Sequence, residues 1–220
     1  MDRAEEIIAR LLNHYIRRLR PQRGEPFRSL IRIILSQNTS SRNQEAAYNR
    51  LERDIGVTPE NLAEASVERI AEAIRPAGMH NQRSRTLKKV SEAILERYGG
   101  DITPILRRPY TEAREELMAL PGVGLKTADV LLMFEAGKAV IPIDRHIFRI
   151  AERLKLVPPK AAYDDVRSAL EEAANPDRYE DVHVLLIRFG REFCKAQRPR
   201  CGDCFLNDLC PYPEGERINY

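Results

Sequence analysis

A lysine in a proline-glycine turn and an aspartate eighteen residues further along are the side chains of this sequence best placed to do chemistry. Lys126 follows Leu120-Pro121-Gly122-Val123-Gly124-Leu125, and Asp144 stands in Ile143-Asp144-Arg145-His146. Glycines allow positive φ and keep side chains out of the way of an approaching phosphate, so the backbone of Gly122, Val123 and Gly124 is a candidate anion site. The N–H groups in the first turn of the following helix would face that anion. An ordinary αα-hairpin can carry the same Pro-Gly-Val-Gly pattern, and the turn alone leaves both readings open. A lysine early in a helix sits at the positive end of the macrodipole, and partial burial would likewise favour its neutral amine. A neutral amine is a nucleophile, whereas a surface lysine would meet phosphate only as a point charge. Asp144 follows a break at Pro142 and reads as a helix N-cap. A carboxylate there could also stabilise a cationic sugar or take a proton from an attacking amine. The combination suggests chemistry on a nucleotide of duplex DNA.

All four cysteines fall in one short stretch, Cys194-x6-Cys201-x2-Cys204-x5-Cys210. Four thiolates so close in sequence can wrap one compact centre, either a [4Fe–4S] cluster or structural zinc. Zinc sites more often show two short cysteine pairs, and this stretch has one. The clustering argues against a dispersed disulfide framework. The first loop between the cysteines is cationic through Lys195, Arg198 and Arg200. A metal-anchored basic loop is a means of holding charge against a phosphate backbone.

With 220 residues, the chain is long enough for one large or two small cores. Its 36 basic and 33 acidic residues leave a net charge of +3. That is short of the charge that marks nucleic-acid binding unaided, so local clusters carry more weight. Besides the cysteine loop these are Arg17, Arg18, Arg20 and Arg23, and the pair Arg107 and Arg108. Solvated faces look the same. No stretch approaches the roughly 18 apolar residues of a membrane span. The acidic, amphipathic start lacks a signal-peptide core, so a cytoplasmic protein is expected.

The elements that must position these residues read as helices almost throughout. Ile7, Ile8, Leu11, Leu12, Tyr15, Ile16 and Leu19 describe a first amphipathic helix, ended by Pro21 and Gly24. An apolar run from Phe27 to Leu35 follows, then a face of Ala46, Ala47, Leu51 and Ile55. Thr58 before Pro59, Ser66 before Val67 and Thr111 before Glu112 mark helix starts. A long helix from Asn81 closes at Gly99-Gly100, and further helices are expected over 128–134, 147–156, 161–174 and 179–193. Val140-Ile141-Pro142-Ile143 is β-like but has no partner run. The fold class is all-α.

Taken together, Leu-Pro-Gly-Val-Gly-x-Lys-Thr-Ala, the aspartate and the cysteine spacing resemble the endonuclease III family. This is the iron–sulfur branch of the helix-hairpin-helix DNA glycosylases, and the resemblance runs from about Phe27 to Pro211. It implies two helical lobes with a DNA groove between them. One is a six-helix barrel over 21–136 carrying the helix-hairpin-helix. The other combines 1–20 with 137–220 and holds a [4Fe–4S] cluster on Cys194, Cys201, Cys204 and Cys210. By the same resemblance Lys126 is the nucleophile and Asp144 its catalytic carboxylate. The Ser36-Gln37-Asn38-Thr39 stretch resembles a loop whose glutamine fills the space of a flipped base. Gly78-Met79-His80-Asn81 resembles a loop that supplies an apolar wedge, here Met79 with His80 beside it. A helix-capping loop and a core-facing methionine are the structural alternatives.

Two positions depart from the family pattern. Arg145 follows the aspartate where a small hydroxylic residue is usual, and Asp129 stands where asparagine is common. Both bear on substrate range. The implied activity is that of a bifunctional DNA glycosylase and abasic-site lyase acting as a monomer on duplex DNA with damaged bases or abasic sites. Oxidised pyrimidines are the expected substrates. A monofunctional mismatch or alkylated-base glycosylase is the first rival, disfavoured by Lys126. A non-catalytic DNA-docking module is the second, and would leave the pairing of Lys126 with Asp144 as coincidence.

Overall fold

A computed structural model describes residues 2–15 and 24–212. In chain order the α-helices are α1 (Arg3–Tyr15), α2 (Pro26–Ser36), α3 (Ser41–Asp54), α4 (Pro59–Glu64), α5 (Val67–Ala73) and α6 (His80–Tyr98). Then come α7 (Thr103–Arg107), α8 (Tyr110–Met118), α9 (Leu125–Ala136), α10 (Arg145–Arg153), α11 (Tyr163–Glu172) and α12 (Tyr179–Glu192). No strand occurs among the described residues, and the all-α class holds. No helix of the described residues is long and apolar enough to cross a membrane. Contacts divide the chain into Gln22–Lys138 and, as a second unit, Met1–Pro21 with Ala139–Tyr220.

Helix starts follow side-chain chemistry. Thr58 and Ser66 accept from the N–H groups of Asn61 and Arg69, so the hydroxyls satisfy donors that the helices leave open. The cap expected at Thr111 is not formed. Helix α8 begins two residues earlier, with Pro109 at the cap position and its carbonyl accepting from Ala113 N–H at 2.9 Å. The third apolar face also differs: Ala47, Tyr48 and Leu51 are buried, while Ala46 is exposed. Tyr48 lies beneath the Arg32 guanidinium at 3.4 Å, which lets a polar-tipped ring take the place of an alanine. Ile16, Leu19, Pro21 and the basic group Arg17, Arg18, Arg20 and Arg23 lie outside the described residues.

The core of Gln22–Lys138 gathers Phe27, Leu30, Ile34, Leu51, Leu87 and Leu131 with their neighbours. The other unit is built on Ile7, Leu11, Ile147, Ile150, Val182 and Phe189. The β-like Val140–Ile143 stretch runs through that second core. Its polar backbone is satisfied by side chains in place of a strand. Ile141 N–H donates to Glu171 at 2.9 Å, Ile143 N–H to the Tyr163 hydroxyl at 3.0 Å, and His183 Nδ1 donates to the Pro142 carbonyl at 2.7 Å. Those bonds fix the residue that follows, Asp144.

Candidate functional site

Helices α8 and α9 form a hairpin closed by a short turn. Val123 packs inward and its N–H is spent on the Leu120 carbonyl at 3.2 Å, so Val123 offers little to an external anion. Gly122 has φ +79°, and a Cβ there would meet Thr86 Cγ2 at 2.2 Å, so both conformation and space demand glycine. Gly124 differs. Its φ of −104° suits any residue, and a Cβ would touch nothing within 4 Å. A side chain at 124 would therefore harm only something approaching from outside. Gly124 also N-caps α9 without a side chain, leaving the first-turn donors of that helix without an internal side-chain cap. Lys126 is the second residue of α9 and is half-buried.

One turn beyond Lys126, Asp129 is fully buried. The Tyr110 hydroxyl donates to it at 2.9 Å, and Arg114 lies 3.0 and 3.2 Å from its two oxygens. Arg114 therefore supplies the charge that lets a carboxylate stand fully buried at this position. The three side chains also clasp α8 to α9.

In the same unit, Gln37 is the C-cap residue of α2, and its Nε2 is 3.4 Å from Thr127 Oγ1 on α9. Met79 is more than half exposed in a left-handed conformation at the start of α6, and so is not a core residue. His80 is half-buried beside it.

The second unit contains Asp144. Its carboxylate accepts from His146 N–H at 2.8 Å and Ile147 N–H at 2.9 Å, so it is the N-cap of α10. Arg145, the first helical residue, is exposed. His146 is half-buried against Gly190 of α12, where a Cβ would come within 2.9 Å of the histidine Cβ. Burial is the largest influence on its imidazole and lowers its pKa, with Arg149, Arg145 and Arg191 acting the same way against Asp144.

Further along α10, two arginines reach the cysteine loop. Arg149 donates to the Cys194 carbonyl at 2.8 Å and the Gly190 carbonyl at 3.1 Å. Arg153 donates to the carbonyls of Lys195 at 2.6 Å and Ala196 at 3.0 Å, and its Nη1 is 3.5 Å from Cys194 Sγ. The four cysteines are half-buried, free of disulfides, and line one cavity with Arg153, Phe193 and Leu206. Burial, and secondarily the neighbouring thiolates, push the thiols of Cys201 and Cys204 up, so their common deprotonation calls for a cationic centre. Four thiols lining one cavity, with no histidine or carboxylate among its lining residues, are the donor set of an all-thiolate centre and so fit the cluster. Lys195, Arg198 and Arg200 are exposed on the loop, Arg200 already paired with Asp203 at 2.8 Å.

Sequence spacing singled out the hairpin, the cap and the cysteines, but not Arg83, Tyr110, Arg114, Arg149 or Arg153. One signal existed for Arg83: it lies four residues before Leu87 and seven before Val90, on the apolar face of α6.

Residues 31–176 match the model of the HhH-GPD superfamily of base excision DNA repair proteins, and 194–210 match the iron–sulfur binding domain of endonuclease III. Endonuclease III of Thermotoga maritima is 32% identical, over 95% of this chain and 91% of the relative. The Escherichia coli K12 enzyme is 34% identical, over 87% and 86%. A solved structure of a trapped endonuclease III–DNA covalent intermediate superposes with a TM-score of 0.83 at 27% identity, covering 96% of this chain and 97% of that one. The chain belongs to the HhH-GPD superfamily of base excision repair proteins and, within it, to the endonuclease III family. It is a DNA-binding enzyme, a DNA glycosylase with abasic-site lyase activity, and its cofactor is a [4Fe–4S] cluster.

Proposed function

We propose that Lys126 is the amine that attacks C1′ of a damaged nucleotide in duplex DNA, releasing the base and leaving a Schiff base on the sugar. Loss of the C2′ proton then expels the 3′-phosphate by β-elimination and nicks the strand. The turn before Lys126 carries this reading. Gly124 has no internal need to be glycine, and the uncapped first turn of α9 can take the phosphate that brings the sugar to the amine. A similar protein has been captured covalently on DNA. Asp144, held by its capping bonds and by the satisfied backbone before it, assists the amine and stabilises positive charge at the sugar.

Gln37 and Met79 fill the space vacated by the extruded nucleotide; exposure of a large apolar side chain on a strained backbone supports that role for Met79. Oxidised pyrimidines are the substrate class. Gly122, Gly124, Arg145, His80, Lys195, Arg198 and Arg200 contribute to holding the backbone, with Val123 shaping the turn from inside. Cys194, Cys201, Cys204 and Cys210 hold the cluster, which when bound cross-links the loop that presents Lys195 and Arg198. The two lobes correspond to 21–136 and to 1–20 with 137–220, and the working form is a monomer at the nucleoid. Among the described residues Met79 and Met118 are the exposed large hydrophobics, too few for an obligate dimer face.

The test uses duplexes carrying thymine glycol, an abasic site or a mismatch, with borohydride added during turnover. The parent protein gives a covalent complex that Lys126→Ala abolishes. Asp144→Asn keeps an acceptor for the cap, so it lowers turnover while leaving the melting temperature nearly unchanged. Base release without trapping would remove the lyase role from Lys126.

A further inference from the structure

Arg83 is 5% exposed and lies in the first turn of α6. Its Nη1 donates to the carbonyls of Ala77 at 2.6 Å and Gly78 at 2.7 Å, and its Nη2 donates to the carbonyl of Gln37. One side chain thus joins two loops more than forty residues apart in sequence.

The carbonyls it holds occupy equivalent places. Gly78 precedes Met79, which has φ +49°, and Gln37 precedes Asn38, which has φ +52°. Asparagine tolerates that region, whereas methionine is strained there and stays only where its surroundings hold it. In both loops the guanidinium fixes the peptide just before the left-handed residue. Its hydrogen-bond partners among the described residues are all backbone carbonyls. Burying a cation without a counter-charge is unfavourable, and an apolar side chain would fill the same space; what it could not do is hold both loops. The planar fork of arginine suits three fixed acceptors, whereas the compact lysine head does not.

We propose that Arg83 is a positioning residue that sets the Gln37 and Met79 loops as one unit, so that amide and apolar wedge enter the base stack together. This rests on the reading of those loops as fillers of the vacated stack. It makes entry into duplex DNA, more than the amine chemistry, depend on Arg83.

The cluster-loaded full chain and its Arg83→Gln and Arg83→Lys variants are compared on an abasic site in a duplex and in the same oligonucleotide as a single strand, where no stack needs filling. Arg83→Gln should lower kcat/KM on the duplex about a hundredfold, the scale expected of small misplacements in an active site. Its rate on the single strand should match the parent. The fluorescence rise of 2-aminopurine beside the lesion, which reports unstacking, should vanish in Arg83→Gln and return in part in Arg83→Lys. Equal losses on both substrates, or no loss on the duplex, would overturn the proposal. If Arg83→Gln does not fold, Arg83→Lys must show the same duplex-only defect in smaller measure, or the proposal fails. Gln37→Ala and Met79→Ala test the loop reading itself. Parental duplex rates in both would sink that reading, whereas losses in them with none in Arg83→Gln would reject Arg83 alone.

Discussion

The hairpin bearing Lys126 rests on apolar packing, for Ala113, Leu117, Leu120, Val123, Ala128, Leu131 and Leu132 are all buried. The cysteine loop over 194–212 buries Leu206 alone among its described residues. Beyond Leu206 and the Phe205 ring, which stacks on His14 at 3.9 Å, polar bonds hold that loop: Arg149 and Arg153 grip the backbone after α12, and Arg3 of α1 donates to the Leu209 carbonyl at 3.0 Å. The contrast teaches where each unit draws its order. A packed hairpin can stand on its side chains, whereas a loop with one core residue needs its cofactor to close it.

The largest expected effect follows from removing a ligand. In Cys204→Ala the visible absorbance of the iron–sulfur centre should be lost, and residues 195–212 should become the first target of limited proteolysis. Amide exchange across α8 and α9 should stay near that of the parent, because sub-global opening follows local packing. Equal loss of protection in the hairpin would break the contrast.

Within the hairpin unit one polar feature cuts against its apolar character. Asp129 is a buried carboxylate with Arg114 as its counter-charge and Tyr110 as its donor. Asp129→Ala should cost about 3–5 kcal/mol, the scale for stranding one partner of a buried pair. Asp129→Asn keeps an acceptor for Tyr110 but leaves Arg114 unbalanced, so roughly 1–3 kcal/mol is expected. Urea unfolding with the cluster absorbance unchanged measures both. A neutral Asp129→Asn would show that the ion pair does not account for this departure from the family, and Arg114→Met combined with Asp129→Leu should regain much of the loss.

These cases also show what the sequence could and could not reveal. Capping is local, so Thr58, Ser66 and Asp144 are legible from a few neighbours, and the cysteines from their spacing. Thr111 misled because Pro109 supplies the helix entry two residues earlier, which leaves Thr111 inside the first turn. The Gly122 requirement was readable as a turn, but the reason, Thr86 beneath it, comes from another helix. The arginine grips were hidden for a related reason. A guanidinium bound to backbone carbonyls across 46 or 45 residues, as in Arg83 to Gln37 or Arg149 to Cys194, depends on no partner side chain. No residue pattern can announce a partner that every residue possesses. Arg145 remains without a structural account.

The smallest effect expected concerns pH, in the turn that links Asp144 to the cysteine loop. Arg149 Nη2 lies 3.0 Å from His146 Nδ1, and arginine can only donate, so the neutral imidazole accepts there and carries its proton on Nε2. Burial lowers the folded-state pKa of His146, so the unfolded chain takes up a proton first as pH falls. The stability tied to neutral His146 is therefore full above about pH 6.5 and is lost as pH falls from there toward the folded-state pKa. Protonation would also point a second donor at Arg149, whose other bonds hold the Cys194 carbonyl. Melting temperatures between about pH 5 and pH 8 should fall slightly on the acid side in the parent. His146→Asn, which keeps an acceptor near the Nδ1 position, should lower the whole curve through lost packing while flattening its slope. Parallel slopes in the two proteins would show that the link between cap and cysteine loop does not titrate through His146, leaving Arg149 held by the carbonyls alone.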